Sequence, residues 1–335
     1  MLTTVTLIKG DGIGPEITES VKRIFAAAEV PIQWEEENAG QTTLAEVGEL
    51  IPNSLIESIK RNKVALKGPL TTPVGKGFKS VNVQLRQIFD LYQNVRPCVT
   101  TEGVQSKFTD VNLVIFRENT EGLYAGLEYF DERLQIADSI SRITWAGSYR
   151  IVKASFEYAK KHGCKKVTLV HKANILKNAG MLFLKAGEQI SKEFPEIEFD
   201  NKIVDNMCMQ LVLKPQQFDV IVATNLFGDI LSDLCAGLVG GLGLVAGANI
   251  GDEVAIFEAV HGTAPDIAGQ GKANPTALLR SAVMMLHHMG LKDHARRIDR
   301  AIDETLKIRE QCTGDLGGNA STQQYTDYVI EKLQN

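Results

Sequence analysis

Strand-like and helix-like stretches alternate along almost the whole chain, and this limits the fold more than any other feature of the sequence. "VTLI" runs into "PEITESVKRIFAAAE", and "NSLIESIKRN" leads to "KVALKG". "VNLVIFREN", "KKVTLVHK" and "FDVIVATN" are short apolar runs rich in β-branched residues. Amphipathic stretches such as "AGSYRIVKASFEYAKKHG" and "AGMLFLKAGEQISKEF" separate them. Short apolar runs alternating with 3.6-residue periodicity predict an α/β fold with much parallel sheet. Between Gly122 and Thr144 the pattern changes: "GLYAGLEYFDERLQIADSISRIT" reads as paired short strands, a hairpin arm projecting from the body. At 335 residues the chain exceeds one ordinary core, so two domains are expected. No Pro/Gly/Ser tract announces a boundary, which predicts that the chain crosses between domains within one continuous sheet.

The glycine loop "TLIKGDGIGPEIT", residues 6–18, invites comparison with the dinucleotide fingerprint G-x-G-x-x-G. Gly10 and Gly12 fit, but Pro15 stands where the third glycine belongs and offers no N–H to a phosphate. Glu35, Glu36 and Glu37 read as a solvated charge run, not as an isolated acid for a ribose. A tight strand-to-helix turn is the better reading, so a nucleotide site must be sought elsewhere.

The net charge of −5, without a basic tract, argues against nucleic acid and anionic membrane as partners. No apolar run approaches the ~20 residues of a membrane span. Strand pattern begins by Val5, which leaves no room for a signal or transit peptide. Cys98, Cys164, Cys208, Cys235 and Cys312 are odd in number, widely spaced and free of C-x-x-C, and they read as reduced thiols of a cytoplasmic protein without a zinc site.

Several groups could carry chemistry. In "NLFGDILSDLCAGLVGG", Asp229 and Asp233 are four apart at a helix start and share a face. They could complement the helix dipole or hold a hard divalent cation; Asp205, at another strand-to-helix transition, adds a third acid. Arg86, Arg96 and Arg117 read as residues at element ends, either a clamp for a polyanionic substrate or partners of Glu118, Glu121 and Asp90. Ser80 is placed to cap a helix, with Asn82 in its first turn and Arg86 one turn on; such a terminus can cap or receive a carboxylate. Lys172, leaving a strand beside His171 and Asn174, could serve as a base if partly desolvated. Tyr124, in the arm, could donate a proton or be structural. "EAVHGTAPDIAGQGKANPTA" carries His261 and Asp266 among small residues that let backbone approach a bulky cofactor, although His261 could be an ordinary loop histidine.

"GDGIGPE", "GPLTTPVG", "FDLYQNVRP", "VIFRENTEGLYAG", "NLFGDILSD" and "HGTAPDIAGQGKANP" together resemble the β-decarboxylating dehydrogenases, the isocitrate/isopropylmalate dehydrogenase family, over essentially the whole chain. The resemblance implies an α/β, non-Rossmann fold: two domains sharing a large mixed sheet, with a clasp arm. It implies a large cofactor-binding domain from 1–91 and 240–335, a small domain from 92–239, and a dimer-building clasp at 122–144. It implies that Arg86, Arg96 and Arg117 hold substrate carboxylates, and that Asp229 and Asp233, with Asp205 of a second copy, bind Mg²⁺ or Mn²⁺. Lys172, also from the second copy, would act as base at the hydroxyl, and Tyr124 would reprotonate the enol. Ile13, Thr72, His261, Gly262, Ala264, Asp266, Ile267 and Asn274 would line the cofactor.

In "GFKSVNVQLR", Ser80 and Asn82 resemble the isocitrate-oxidising members, where such groups receive the γ-carboxylate. Polar pocket groups penalise an apolar isostere such as isopropylmalate. Homoisocitrate enzymes resemble an arginine-rich "RRRLDLY", whereas this chain reads "QLRQIFDLY". The resemblance thus implies oxidative decarboxylation of isocitrate to 2-oxoglutarate and CO2. NAD is implied over NADP, because Asp266–Ile267 stands where NADP-using relatives carry Lys-Tyr, and "CTGDLGGNAS" lacks their tyrosine and arginine. A homodimer with shared sites follows, higher oligomers remaining open. The alternatives are a homoisocitrate or isopropylmalate dehydrogenase, a decarboxylase without redox chemistry, and a regulatory subunit of a hetero-oligomeric enzyme. Retention of Tyr124, Lys172, Asp205, Asp229 and Asp233 favours a catalytic chain.

Overall fold

The structure, a computed structural model, describes residues 2–72 and 79–334; the parts of "GPLTTPVG" and "GFKSVNVQLR" at 73–78 lie outside the described residues. In chain order the strands are β1 (Thr3–Ile8), β2 (Ile32–Glu37), β3 (Val64–Lys67), β4 (Gln93–Val99), β5 (Asn112–Glu118), β6 (Gly122–Asp131), β7 (Ile136–Arg142), β8 (Lys166–His171), β9 (Glu198–Ile203), β10 (Val220–Ala223), β11 (Ala246–Ile250) and β12 (Ala255–Ala259). The helices are α1 (Gly14–Ala27), α2 (Gln41–Val47), α3 (Asn53–Asn62), α4 (Val81–Ile88), α5 (Trp145–His162), α6 (Lys177–Ile190), α7 (Val204–Leu213), α8 (Asn225–Leu238), α9 (Thr276–His288), α10 (Lys292–Leu306) and α11 (Thr322–Gln334).

One ten-stranded sheet runs in the order β2-β1-β3-β12-β11-β4-β5-β10-β8-β9. The β2-β1-β3-β12 and β5-β10-β8-β9 groups are each parallel. The central pairs β12/β11, β11/β4 and β4/β5 are antiparallel, so the two parallel halves run in opposite senses. This mixed sheet is continuous, as the missing linker predicts, and it is not a Rossmann sheet. β6 and β7 form the separate hairpin. The charge run Glu35, Glu36 and Glu37 belongs to β2, and Arg61, Lys9 and Lys22 pair with Glu35 and Glu36.

Strand pleating sorts the sheet's side chains onto two faces. One face bears Val5, Leu7, Leu66, Phe257, Val95, Phe116, Val222 and Leu169, packed beneath α1, α5, α6, α9, α10 and α11 in one apolar cluster. The other face is split. Ile8, Ala65 and Ile256 pack with α3 and α4, while Cys98, Leu113, Ile115 and Ile221 pack with α7 and α8. Polar and charged groups hold the ground between these two clusters.

The glycine loop turns out to serve backbone approach. A Cβ on Gly12 (φ +58°) would stand 2.1 Å from the Thr263 carbonyl oxygen, and one on Gly10 (φ +82°) 2.4 Å from that of Pro69. The loop therefore packs against two other loops of the chain. No helix among the described residues is long and apolar enough to cross a membrane.

Candidate active site

Register explains where the charged groups gather. Arg117 lies beside Asn94, Asn94 beside Asn249, and Asn249 beside Ile256. Arg96 is two residues from Asn94, Glu258 two from Ile256, and Lys67 lies beside Glu258. With a side-chain period of two, all six polar residues share the split face of the sheet. Arg96 is thus the middle residue of β4, not an end residue as its sequence context indicated. It is buried because the pleat turns it under α8.

From above, α8 supplies the counter-charges. Arg117, 1% exposed, donates to Asp229 Oδ1 and, through Nε and Nη2, to Asn225 Oδ1 at 2.9 and 2.7 Å. Arg96 Nη1 donates to Ser232 Oγ at 2.6 Å and to Asp233 Oδ1 at 3.3 Å. Tyr124 OH donates to Asp229 Oδ2 at 2.6 Å, and the Arg117 guanidinium sits 4.9 Å from its ring centre. Glu118, Glu121 and Asp90, the partners expected of structural arginines, are engaged elsewhere: Glu118 with Thr120 and the Glu121 N–H, Glu121 with Thr144, Asp90 with Arg150.

Asp229 and Asp233 occupy the second and third turns of α8, not its start. The helix-dipole reading fails there, because the favourable field is confined to the first turn. What remains is a pair of carboxylates one turn apart and accessible, 37% and 57% exposed. Such hard oxygen donors beside buried arginines fit Mg²⁺ or Mn²⁺, which take few ligands from protein.

Burial, then repulsion from Arg86 and Arg96, lowers the Arg117 guanidinium to about 10, so it stays charged at neutral pH. Burial and Arg86 likewise lower Arg96. Burial alone would raise the Asp229 carboxyl, but Arg117, the Tyr124 hydroxyl, Arg96 and Arg86 together hold it below its usual range. Burial and the bond to Asp229 push the Tyr124 phenol up against the opposing Arg117 charge, which keeps its proton on.

Sequence reading missed the second layer of this site. Lys67 Nζ lies 2.6 Å from Glu258 Oε2, and both side chains are buried. Arg86 Nη2 reaches Glu258 Oε1 at 3.5 Å, and Asn249 Nδ2 donates to the same oxygen at 2.6 Å. Asn94 and Asn119 both donate to Asn249 Oδ1, at 2.8 and 3.0 Å. The available signal was a single charge closing each apolar run, Lys67 in "KVALKG" and Glu258 in "AIFEA". Burial would raise the Glu258 carboxyl, but Lys67 and Arg86 outweigh it and hold the group at about 2. Its contribution to stability is therefore present above the ordinary value of 4.5 and is lost as pH falls through about 2. Replacing Glu258 by Gln strands the buried Lys67 charge, and a loss of about 3–5 kcal/mol is expected in urea unfolding at pH 7. An unchanged midpoint would show that Lys67 finds another partner.

Ser80 takes the residue position before α4, but its side chain makes no capping bond. Thr72 does that work instead: its Oγ1 accepts from the Val81 N–H at 3.0 Å. Ser80 Oγ is left for other use, and Asn82 Oδ1 is buried without a partner among the described residues. The neighbouring loop 258–274 meets the glycine loop, with the Ile13 N–H donating to Thr263 O at 3.0 Å. Ala264 holds φ +39°, and Gly262 has open space beside it. His261 Nδ1 lies 3.0 Å from Gly262 O, while its Nε2 is buried without a partner among the described residues. Burial lowers the imidazole's pKa and favours its neutral form. Asn274 Nδ2 donates to Asp315 at 2.9 Å. Asp266 is exposed, and its carboxylate makes no hydrogen bond among the described residues, so it caps no turn. An orphaned ring nitrogen, small residues and a free carboxylate suit a dinucleotide.

Lys172 and Asp205 stand apart from this cluster. They pair with each other at 2.5 Å, and no ion pair among the described residues joins them to the arginines or to Asp229. No group of three or more metal-ligating side chains gathers among the described residues, so Asp205 does not complete the Asp229–Asp233 pair within one chain. Lys172 instead edges an apolar groove of about 260 Å³ with Leu123, Ile143, Leu176, Phe183 and Phe227.

Comparison with known proteins places this fold in a family. The family model described as isocitrate/isopropylmalate dehydrogenase matches residues 4–329. The chain belongs to this family. A mitochondrial isocitrate dehydrogenase (NAD) regulatory subunit of Dictyostelium discoideum is 51% identical over 98% of this chain and 91% of its own length. The alpha subunit of mitochondrial isocitrate dehydrogenase (NAD) of Homo sapiens is 51% identical over 99% and 91%. Among isocitrate/isopropylmalate dehydrogenase folds, the crystal structure of isocitrate dehydrogenase from Methylococcus capsulatus superposes with a TM-score of 0.97 at 51% identity, covering all of both chains. That of TT0538 protein from Thermus thermophilus gives 0.96 at 46% identity, covering 99% of this chain and 68% of that one.

Proposed function

We propose that the chain oxidatively decarboxylates isocitrate to 2-oxoglutarate and CO2 while reducing NAD. The observation that carries this is the convergence of three buried guanidiniums beside an open carboxylate pair and a protonated phenol. Mutually repelling arginines are stabilised by a polyanion, and bidentate recognition of carboxylates follows from guanidinium geometry. Arg86, Arg96 and Arg117 bind the substrate carboxylates, and Ser80 and Asn82 receive the γ-carboxylate. Asp229 and Asp233, with a second copy's Asp205, would hold the divalent cation, which would supply positive charge beside the substrate hydroxyl and the oxyanion that develops on decarboxylation. Ile13, Thr72, the 261–267 segment and Asn274 hold NAD, the hydride acceptor. Lys172 of the second copy takes the C2 hydroxyl proton as hydride leaves C2. After CO2 departs, the Tyr124 phenol delivers its proton to C3.

The same reading divides the chain into a large domain, 1–91 with 240–335, and a small one, 92–239, meeting at the β11/β4 pair, with 122–144 as a clasp. It makes the working unit a homodimer. In support, α7 and α8 leave Met209, Leu213 and Ile230 exposed, and the groove beside Lys172 is apolar. The curated relatives are named as subunits, and a hetero-oligomer is the competing arrangement. Five free cysteines fit a reducing compartment such as the cytoplasm, whereas the named relatives are mitochondrial.

The test is kcat/KM for isocitrate, homoisocitrate and isopropylmalate. Isocitrate leads if Ser80 and Asn82 read the γ-carboxylate, and a lead for isopropylmalate contradicts the reading. NAD should exceed NADP by on the order of a hundredfold, because Asp266 accepts from ribose hydroxyls and repels a 2′-phosphate. Asp266→Lys/Ile267→Tyr should narrow that ratio. Equal use of both cofactors by the unmodified chain would refute the assignment.

A further inference from the structure

We propose that Asp11 is a positioning residue that locks the substrate helix α4 to the cofactor loop; this rests on the NAD and isocitrate reading above. The Asp11 side chain is buried, and among the described residues no lysine or arginine pairs with it. Four donors from two other segments hold it instead. Oδ2 accepts from the Gln41 N–H at 3.1 Å and the Thr71 N–H at 2.8 Å. Oδ1 accepts from the Thr42 N–H at 3.0 Å and from Thr42 Oγ1 at 2.7 Å. Gly40 permits this approach, since a Cβ there would stand 2.1 Å from Oδ2.

Each contact leads toward a ligand group. The Asp11 N–H donates to Pro69 O at 2.8 Å, which fixes the start of the segment that holds Thr71. Thr71 Oγ1 bonds Thr263 Oγ1 at 2.9 Å, and Thr263 O in turn receives the Ile13 N–H. Thr72, the next residue, caps α4 through Val81 and so sets the helix end that carries Ser80 and Asn82. A carboxylate is required here because every facing group is a donor. An amide of the same shape would turn its own NH2 toward one pair of them, losing bonds and adding donor-to-donor contact. Asp11 therefore links the segments that carry the two proposed binding sites.

The test compares Asp11→Asn with Asp219→Asn in the full-length chain. Asp219 Oδ2 also accepts two backbone N–H groups, from Lys165 and Lys166 at 2.8 and 3.1 Å, but at the start of β8. Asp11→Asn should raise KM for both isocitrate and NAD about tenfold, with kcat at saturation within about threefold of the unmodified chain. Asp219→Asn should lower Tm and leave both KM values alone. Hydrogen exchange at the Gln41, Thr42 and Thr71 amides should quicken only in the Asp11 variant. Thr71→Val keeps the carboxylate but cuts the link to Thr263, and should raise the NAD KM in the same direction should Asp11→Asn fold poorly. NADH affinity by fluorescence titration decides the matter independently of turnover, so failure of the isocitrate assignment stays distinguishable. Unchanged KM values and NADH affinity, with only a fall in Tm, would overturn the proposal.

Discussion

Lys172→Ala is expected to abolish nearly all turnover, with kcat falling by about 10²–10⁴, the usual worth of a positioned general base. The Lys172 side chain is 26% exposed and its Nζ lies 2.5 Å from Asp205 Oδ1, so it is held in place before substrate arrives. The variant should fold normally, because the pair is at the surface and contributes little to stability. The larger consequence concerns where the base acts. Among the described residues no bond joins Lys172 to the arginine cluster of its own chain, which supports the proposal that it serves the site of a second copy. Mixing equal amounts of Lys172→Ala and Asp229→Ala chains tests this. Random exchange makes half the dimers hybrid, each with one intact site of two, so about a quarter of full activity should return. No recovery after verified exchange would place the base and the acids in one chain.

Asp229→Asn is expected to cut turnover about 10³-fold, through loss of a hard ligand and of the charge facing Arg117 and Tyr124. Stability should shift by no more than about 1 kcal/mol, because the Asp229 side chain is 37% exposed and Asn225 keeps its two bonds to Arg117. The activity loss is therefore chemical and not a loss of folded protein. The Mg²⁺ concentration needed for half-maximal rate should rise as well. Full activity of the unmodified chain in excess chelator, or an unchanged metal requirement in the variant, would remove Asp229 from the metal site.

Local pattern carried the elements: the strands at 112–118, 166–171 and 220–223, the long helices α5 and α6, and the arm at 122–144 all lie where periodicity puts them. Strand order did not follow from it. The antiparallel centre β12-β11-β4-β5 depends on which strands pair, and pairing is non-local. The same limit governed the site. Arg96 and Arg117 stood out by type, but their shared face follows only from the Arg117–Asn94 register. Lys67 and Glu258 passed as strand ends because their pairing joins residues far apart in sequence. Asp229 and Asp233 read as helix-start acids because the cap, Thr224, lies outside their immediate context. Asp11 was hidden inside a motif whose glycines drew attention to a phosphate, while its carboxylate does the binding between loops.

The most direct measurement uses the purified chain alone, with isocitrate, NAD and Mg²⁺, following NADH by absorbance and CO2 by trapping. The account predicts one NADH for each CO2, with both stopped by excess chelator. CO2 without NADH would mark a decarboxylase without redox chemistry. No product until a second type of subunit is added would mark a regulatory chain, and either result would contradict the proposed function.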